Sequence, residues 1–425
     1  MHVQRASWSL TGRLRRPFHL RPIARADPER MTQMEGTRQY DLVLFGGTGF
    51  TGGLTADYLA AHAPAEMRWA LAGRNRAKLD AVAGRLASQS PEAPEPDVLV
   101  ADAADAAALR EIAGSTRVVI TTVGPYALYG GPLVAACAAA GTDYCDLTGE
   151  PEFVDRAWVD HHAEAERTGA RIVHCCGFDS IPHDLGAYFT VQQLPEGVPL
   201  TVNGYVRSNA RFSGGTFHSA VNGFGRARQT LSAAKERRRL EPRSEGRQVH
   251  SAPARIRHDG DLGGWTVPLP TIDGAVVRRS AAALDRYGPD FTYGHNMVAK
   301  HLATVGAVAA GVGTAGALAQ LAPTRNLLLK LKAPGEGPSE AERERSWFKI
   351  VFVGEGGGKR VVTEVSGGDP GYGETSKMLA ESGLCLAFDD LPQRSGQLTT
   401  AVAMGDALLE RLQKAGIRFQ ATQSG

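Results

Sequence analysis

The stretch from Tyr40 to Arg74 constrains the fold more than any other. An apolar run, Leu42-Val43-Leu44-Phe45, enters Gly46-Gly47-Thr48-Gly49-Phe50-Thr51-Gly52 and leaves through helix-compatible residues from Leu54 to Ala61. This order reads as a buried strand, a tight turn and the start of a helix. Residues without a Cβ let backbone N–H groups approach a pyrophosphate, whose charge then rests at the positive end of the helix. Gly47, Gly49 and Gly52 also satisfy G-x-G-x-x-G, in the strand-before, helix-after setting that gives the pattern its meaning. The residues expected to hold such a group are Gly46, Gly47, Thr48, Gly49, Phe50, Thr51 and Gly52.

A second apolar piece, Trp69-Ala70-Leu71-Ala72, follows at the spacing of the next parallel strand. It ends in Gly73-Arg74-Asn75-Arg76, with Lys78 close behind. A site for NAD places an acid here to accept from the ribose 2′-hydroxyl, whereas a 2′-phosphate calls for cations. The sequence offers cations and no acid, so Arg74, Asn75 and Lys78 are assigned to the 2′-phosphate of NADP(H). The competing reading of Arg74 is a solvated surface side chain.

Asp97 to Asp102 reads as a third strand ending in an acid. Asp102 is either a contact to the adenine end of the cofactor or the N-cap of the Ala-rich helix that follows. The uncharged strand Val118 to Val123 runs into Gly124-Pro125-Tyr126. In a doubly wound sheet, ligands lie beyond the carboxyl ends of the strands, near the switch in strand order. Gly124 and Pro125 are thus expected to border the nicotinamide. Further strands at Asp143–Leu147 and Arg171–Cys176 complete six βα units.

The organisation expected is a basic, disordered leader over residues 1–38, an NADP-binding Rossmann domain over 39–176, and a substrate and dimerisation domain over 177–395. A C-terminal helix in 396–425 returns to the Rossmann domain. The fold class is α/β: a Rossmann-type doubly wound parallel sheet followed by an α+β substrate domain with a mixed sheet, the latter from the alternation around Val202, Gly204 and Val206. A chain of 425 residues suits two such domains.

A net charge of +2 argues against nucleic acid as the main partner. The span 207–257 is nonetheless strongly cationic, a patch for an anionic carrier, a membrane surface or a phosphorylated substrate, or a solvated face. Five cysteines without CxxC spacing suggest neither zinc nor disulfides, so no metal and a reducing, cytoplasmic setting are expected. Between Lys300 and Arg325 no charge occurs. Residues 302–322 are either a buried or interfacial helical hairpin near a lipid tunnel, a core or homodimer interface, or a membrane span.

Proton donors near the expected nicotinamide edge are Tyr126, Tyr129, Asp179, Ser180 and His183. Tyr126, Asp179 and Ser180 are the catalytic candidates, each with a packing or helix-capping alternative.

Several motifs then recur in a fixed order: Gly46 to Gly52, Ala72-Gly73-Arg74, Gly124-Pro125-Tyr126, Asp146 to Pro151 and Gly177-Phe178-Asp179-Ser180-Ile181-Pro182. Ser213-Gly214-Gly215-Thr216, Gly371-Tyr372-Gly373 and Gly396 to Thr400 continue the series. The set resembles the saccharopine dehydrogenase-like oxidoreductases, in the branch of the bacterial trans-acting enoyl reductases. His183 stands where that pattern has a small polar residue, and Thr400 where it has proline. The resemblance implies NADPH-dependent reduction of a C=C bond in a lipid or polyketide acyl chain. The substrate would be a small molecule or a carrier-bound acyl group, with a polyketide or fatty-acid synthase as partner. Chemistry on a C=N or amino-acid substrate, and a non-catalytic NADP-binding, lipid-associated role, are the alternatives.

Overall fold

The structure, a computed structural model, describes residues 38–210, 221–242, 246–330 and 337–424. Residues 1–37 of the leader and the Ser213 to Thr216 motif lie outside them.

Among the described residues, fifteen strands form two sheets. The first is parallel throughout, with seven strands in the order β14-β6-β5-β4-β1-β2-β3. Its members are β1 (Tyr40–Phe45), β2 (Trp69–Gly73), β3 (Asp97–Val100), β4 (Thr116–Thr121), β5 (Asp143–Asp146), β6 (Arg171–Val173) and β14 (Gly396–Leu398). Between them run α1 (Phe50–His62), α2 (Arg76–Gln89), α3 (Ala106–Ser115), the short α4 (Tyr126–Tyr129), α5 (Gly131–Ala140) and α6 (Pro151–Thr168). Strands buried on both faces need continuous apolar runs, and every residue of β1 and β2 is buried.

The sheet corrects the expectation that residues 39–176 are complete in themselves. Its edge strand β14 arrives from far downstream and pairs with β6 through Gly396↔Arg171 and Leu398↔Val173. One face is covered by α13 (Gly373–Phe388), which packs on α1, β4 and β5. Close approach there requires a missing side chain, since a Cβ on Gly383 would lie 2.3 Å from Ile120 Cδ1. Arg38, placed in the leader by sequence, is buried instead and donates to the carbonyls of Ala113 and Ala140, each at 2.7 Å.

The second sheet is mixed: β15-β13-β12-β7-β11-β10-β9, with β8 also on β11. It contains β7 (Leu200–Ser208), β8 (Gln248–Ser251), β9 (Arg257–Asp259), β10 (Gly264–Pro268), β11 (Asp290–Ala299), β12 (Phe348–Gly356), β13 (Lys359–Gly367) and β15 (Arg418–Ser424). Gly357 and Gly358, with φ of +57° and +77°, make the tight turn between β12 and β13. Trp265 to Pro268 lie in strand β10. The C-terminal stretch 396–425 supplies β14, then α14 (Thr400–Ala403) and α15 (Gly405–Lys414), then β15 on the second sheet, so it is more than a returning helix.

Helix α7 (Ile181–Val191) links the sheets. Its buried Asp184 accepts from Ser280 Oγ at 2.5 Å in α9 (Asp273–Ala283), and from Thr400 Oγ1 at 2.8 Å and Ala401 N at 2.9 Å in α14. Thr400 thus departs from the proline pattern with a hydroxyl that this carboxyl uses.

Part of the cationic span is met by acids. Arg226 pairs with Glu152 at 2.6 Å, and Arg237, in α8 (Ala227–Leu240), lies over the Trp158 ring and pairs with Asp155 and Glu241.

Candidate functional site

The turn after β1 is built from glycine for steric reasons. Gly46 has φ +99°, and a Cβ on it would lie 2.7 Å from Val123 Cγ2. A Cβ on Gly52 would lie 2.2 Å from the Gly46 carbonyl oxygen. Helix α1 therefore starts hard against the turn, with Gly49 as an N-cap that offers no side chain. Its first-turn amides have no intrahelical acceptor and no capping oxygen, and Thr48 and Gly49 are exposed beside them. A cradle of that kind fits a pyrophosphate. Phe50 forms a wall of it, packed edge-on against Tyr372 at 4.8 Å, with the Arg343 guanidinium 5.7 Å from its ring centre. Thr51 turns its carbonyl to Thr55 and Ser376.

At the end of β2, Arg76 is taken by Asp80 at 2.9 Å. Among the described residues no ion pair claims Arg74 or Lys78, both exposed on the same edge. Asn75 caps α2 by accepting from Lys78 N at 3.0 Å, so its side chain serves the helix. Asp102 accepts from Ala104 N at 2.9 Å, and the N-cap of α3 is Asp105, which accepts from Ala107 N and Ala108 N.

At the end of β4, Gly124 and Pro125 form a cis peptide bond. The expectation that the next residue aims its phenol over the crevice is corrected. Tyr126 is 4% exposed and donates to the Thr121 carbonyl at 3.1 Å, so it fills the sheet edge. Glu150 holds that turn by accepting from Tyr126 N and Ala127 N.

Asp146, fully buried at the end of β5, organises the turn after β6. It accepts from Tyr144 Oη at 2.9 Å, Thr148 N at 3.0 Å and Cys175 N at 3.1 Å, and lies 2.7 Å from His174 Nδ1. Cys175 is held at φ +64°, a backbone region that non-glycine residues seldom occupy. The chain is thereby turned so that Phe178 and Asp179 stand at the carboxyl edge, where Phe178 N donates to Thr375 Oγ1 at 3.1 Å. Neither capping alternative is realised. Ser180 occupies the N-cap position of α7 without a side-chain cap, and its hydroxyl instead donates to the Asp179 carbonyl and faces Asp273 Oδ1 at 3.4 Å.

The Asp179 carboxyl is partly buried beside Gly149. Burial, and then the negative charge of Asp273, push it up to about 7. Asp273 opens α9 between two imidazoles: His183 Nε2 is 3.9 Å from Oδ1, and His295 Nε2 is 3.3 Å from Oδ2. Thr271 Oγ1 bridges Asp273 and His295. Burial lowers His183 to about 4. Asp273 is held below the carboxylate range although burial opposes this, because His183, His295 and Thr271 all turn polar atoms onto it.

His183, Asp273 and His295 present one donor atom each within 4.8 Å of one another, a set of the type that takes zinc. The expectation of no ligand cluster overlooked them because they come from α7, α9 and β11 with no motif spacing. The hydrogen bonds around Asp273 make the set a polar brace behind Asp179.

A glycine cradle on a parallel sheet, with cations at the second strand end and a titratable carboxyl at the sixth, defines a dinucleotide-dependent oxidoreductase. The model of the saccharopine dehydrogenase NADP binding domain matches residues 42–173. A relative from Mycobacterium tuberculosis (strain ATCC 25618 / H37Rv), provisionally named a trans-acting enoyl reductase, is 41% identical over 416 residues, covering 91% of this chain and 98% of the relative. The trans-acting enoyl reductase of Mycobacterium ulcerans (strain Agy99) is 38% identical over 419 residues, with the same coverage of 91% and 98%. Saccharopine dehydrogenase (L-Glu forming) from Saccharomyces cerevisiae shares the fold, with a TM-score of 0.52 at 12% identity, over 90% of this chain and 99% of that one.

The chain belongs to the saccharopine dehydrogenase-like oxidoreductases, among the trans-acting enoyl reductases. It is an NADP-dependent oxidoreductase.

Proposed function

We propose that the chain reduces the C=C bond of an α,β-unsaturated thioester in a lipid or polyketide acyl chain carried by a separate synthase, with Asp179 as the proton donor. The observation that carries the reading is the Asp179 carboxyl, partly open at the carboxyl edge of the sheet and raised to about 7. The names of the relatives supply the reaction class.

NADPH, when bound, would supply hydride to the β carbon. Arg74 and Lys78 would hold the 2′-phosphate, and the open amides of α1 would hold the pyrophosphate. Asp179, raised to about 7, is protonated in about half of the molecules at neutral pH, and that form places its proton on the α carbon, completing the C–H bond. Water then returns a proton to the carboxylate. Asp273 raises the affinity of Asp179 for that proton, and His183 and His295 keep Asp273 in place.

A C=N substrate with several carboxylates would need free cations. Two cations of the basic span, Arg226 and Arg237, are engaged by Glu152, Asp155 and Glu241 and are not free to meet them. The test is NADPH oxidation by the purified chain with a trans-2-enoyl thioester against an imino acid. Turnover on the thioester alone supports the reading, and turnover on the imino acid alone overturns it.

A further inference from the structure

The uncharged stretch forms two helices, α10 (Leu302–Ala319) and α11 (Ala322–Lys330). An 18-residue helix is about 27 Å long. Among the described residues its contacts lie near its two ends. Its first turn follows directly from β11, and near its last turn Ala319 is buried while Gln320 Nε2 donates to the Phe224 carbonyl at 2.7 Å. Between these points the described side chains are mostly exposed: Val312 is 50% and Leu318 40% accessible, and beyond the bend Leu321 is 64% and Leu327 65%. The reading of this stretch as core is thereby corrected. Apolar surface on this scale facing water marks an interaction site. Among the described residues no helix is long and apolar enough to cross a membrane.

Charge selects the occupant. From Phe291 to Gly335 the sequence contains no acid, while Lys300 precedes the first apolar helix and Arg325 lies within the second. A second copy of this chain would bring cations against cations with no acid to pair them. An anionic phospholipid surface meets both features, since apolar side chains enter the acyl boundary and these cations meet the headgroups. We propose that α10 and α11 dock the protein on the surface of an anionic bilayer. The inference does not depend on the reaction assigned above.

The test uses the full chain, sedimented with phosphatidylcholine vesicles prepared with and without phosphatidylglycerol. Expected is co-sedimentation with the phosphatidylglycerol vesicles only, released by high salt. The pair Leu321→Glu and Leu327→Glu should weaken it by about ten-fold or more, as should the milder pair Val312→Ser and Leu318→Ser, with NADPH affinity unchanged. Lys300→Glu should weaken it in the same direction. Equal binding to neutral vesicles, no binding to either, or apolar substitutions that turn a dimer into a monomer without changing vesicle binding would each overturn the proposal.

Discussion

A Cβ on Gly149 would lie 3.0 Å from Oδ2 of Asp179. The loop after β5 therefore leaves the room that the carboxyl after β6 occupies, and two strand ends shape one acid. Gly149→Ala should displace the carboxyl and lower kcat by about ten-fold with the fold intact. Asp179→Asn removes the proton and should lower kcat by about 100-fold or more, the scale of general acid catalysis. In the parent, kcat should fall as pH rises through about 7, and that limb should be absent in Asp179→Asn. A pH–rate profile that keeps the limb in the variant contradicts the assignment.

The same carboxyl bears on stability. Its folded value of about 7 lies above the ordinary 3.8, so between these limits the folded state holds a proton that the unfolded chain releases. Stability contributed by this group is full below the unfolded value and declines as pH rises toward the folded one. Asp179→Asn should thus melt at a higher temperature than the parent at pH 8 (roughly 1–3 kcal/mol), with the difference closing near pH 4. Thermal melts across pH read this directly, and a variant less stable than the parent at pH 8 refutes it.

Arg74 and Lys78 should discriminate between the two nicotinamide cofactors. Arg74→Ala with Lys78→Ala should raise KM for NADPH by about 30-fold, near 2 kcal/mol of charge-assisted bonding, and leave KM for NADH nearly unchanged. Equal effects on both would remove the 2′-phosphate assignment.

The glycine cradle yields a paired comparison. Gly52→Ala sets a Cβ against the Gly46 carbonyl oxygen at 2.2 Å, whereas Gly53→Ala finds its nearest atom at 3.9 Å. NADPH affinity, read by fluorescence titration, should collapse in the first and persist in the second. Retained affinity in Gly52→Ala would place the cofactor elsewhere.

What the sequence made legible was local. The turn at Gly46 to Gly52, the cations after β2 and the Phe178-Asp179 turn could be read because each needs only its immediate neighbours. Strand β14 was hidden because Gly396 to Leu398 earns its place in the sheet only through pairing with β6. Asp273 and His295 were hidden for a similar reason: nothing near either residue in the chain announces that α9 and β11 carry them to His183. Tyr126 misled because a residue following a strand end faces the crevice or the sheet according to one side-chain torsion, which a sequence does not record. The apolar run at 302–322 showed its composition and not its exposure, because an uncharged helix reads alike whether core or lipid covers it.

In the proposed reaction, hydride and proton reach adjacent carbons from two different sources. The direct measurement is reduction of an enoyl thioester with deuterium first on the transferable position of NADPH and then in the solvent. Cofactor deuterium should appear on the β carbon only and solvent deuterium on the α carbon only. Label from the solvent on both carbons, or from the cofactor on neither, would contradict this reaction.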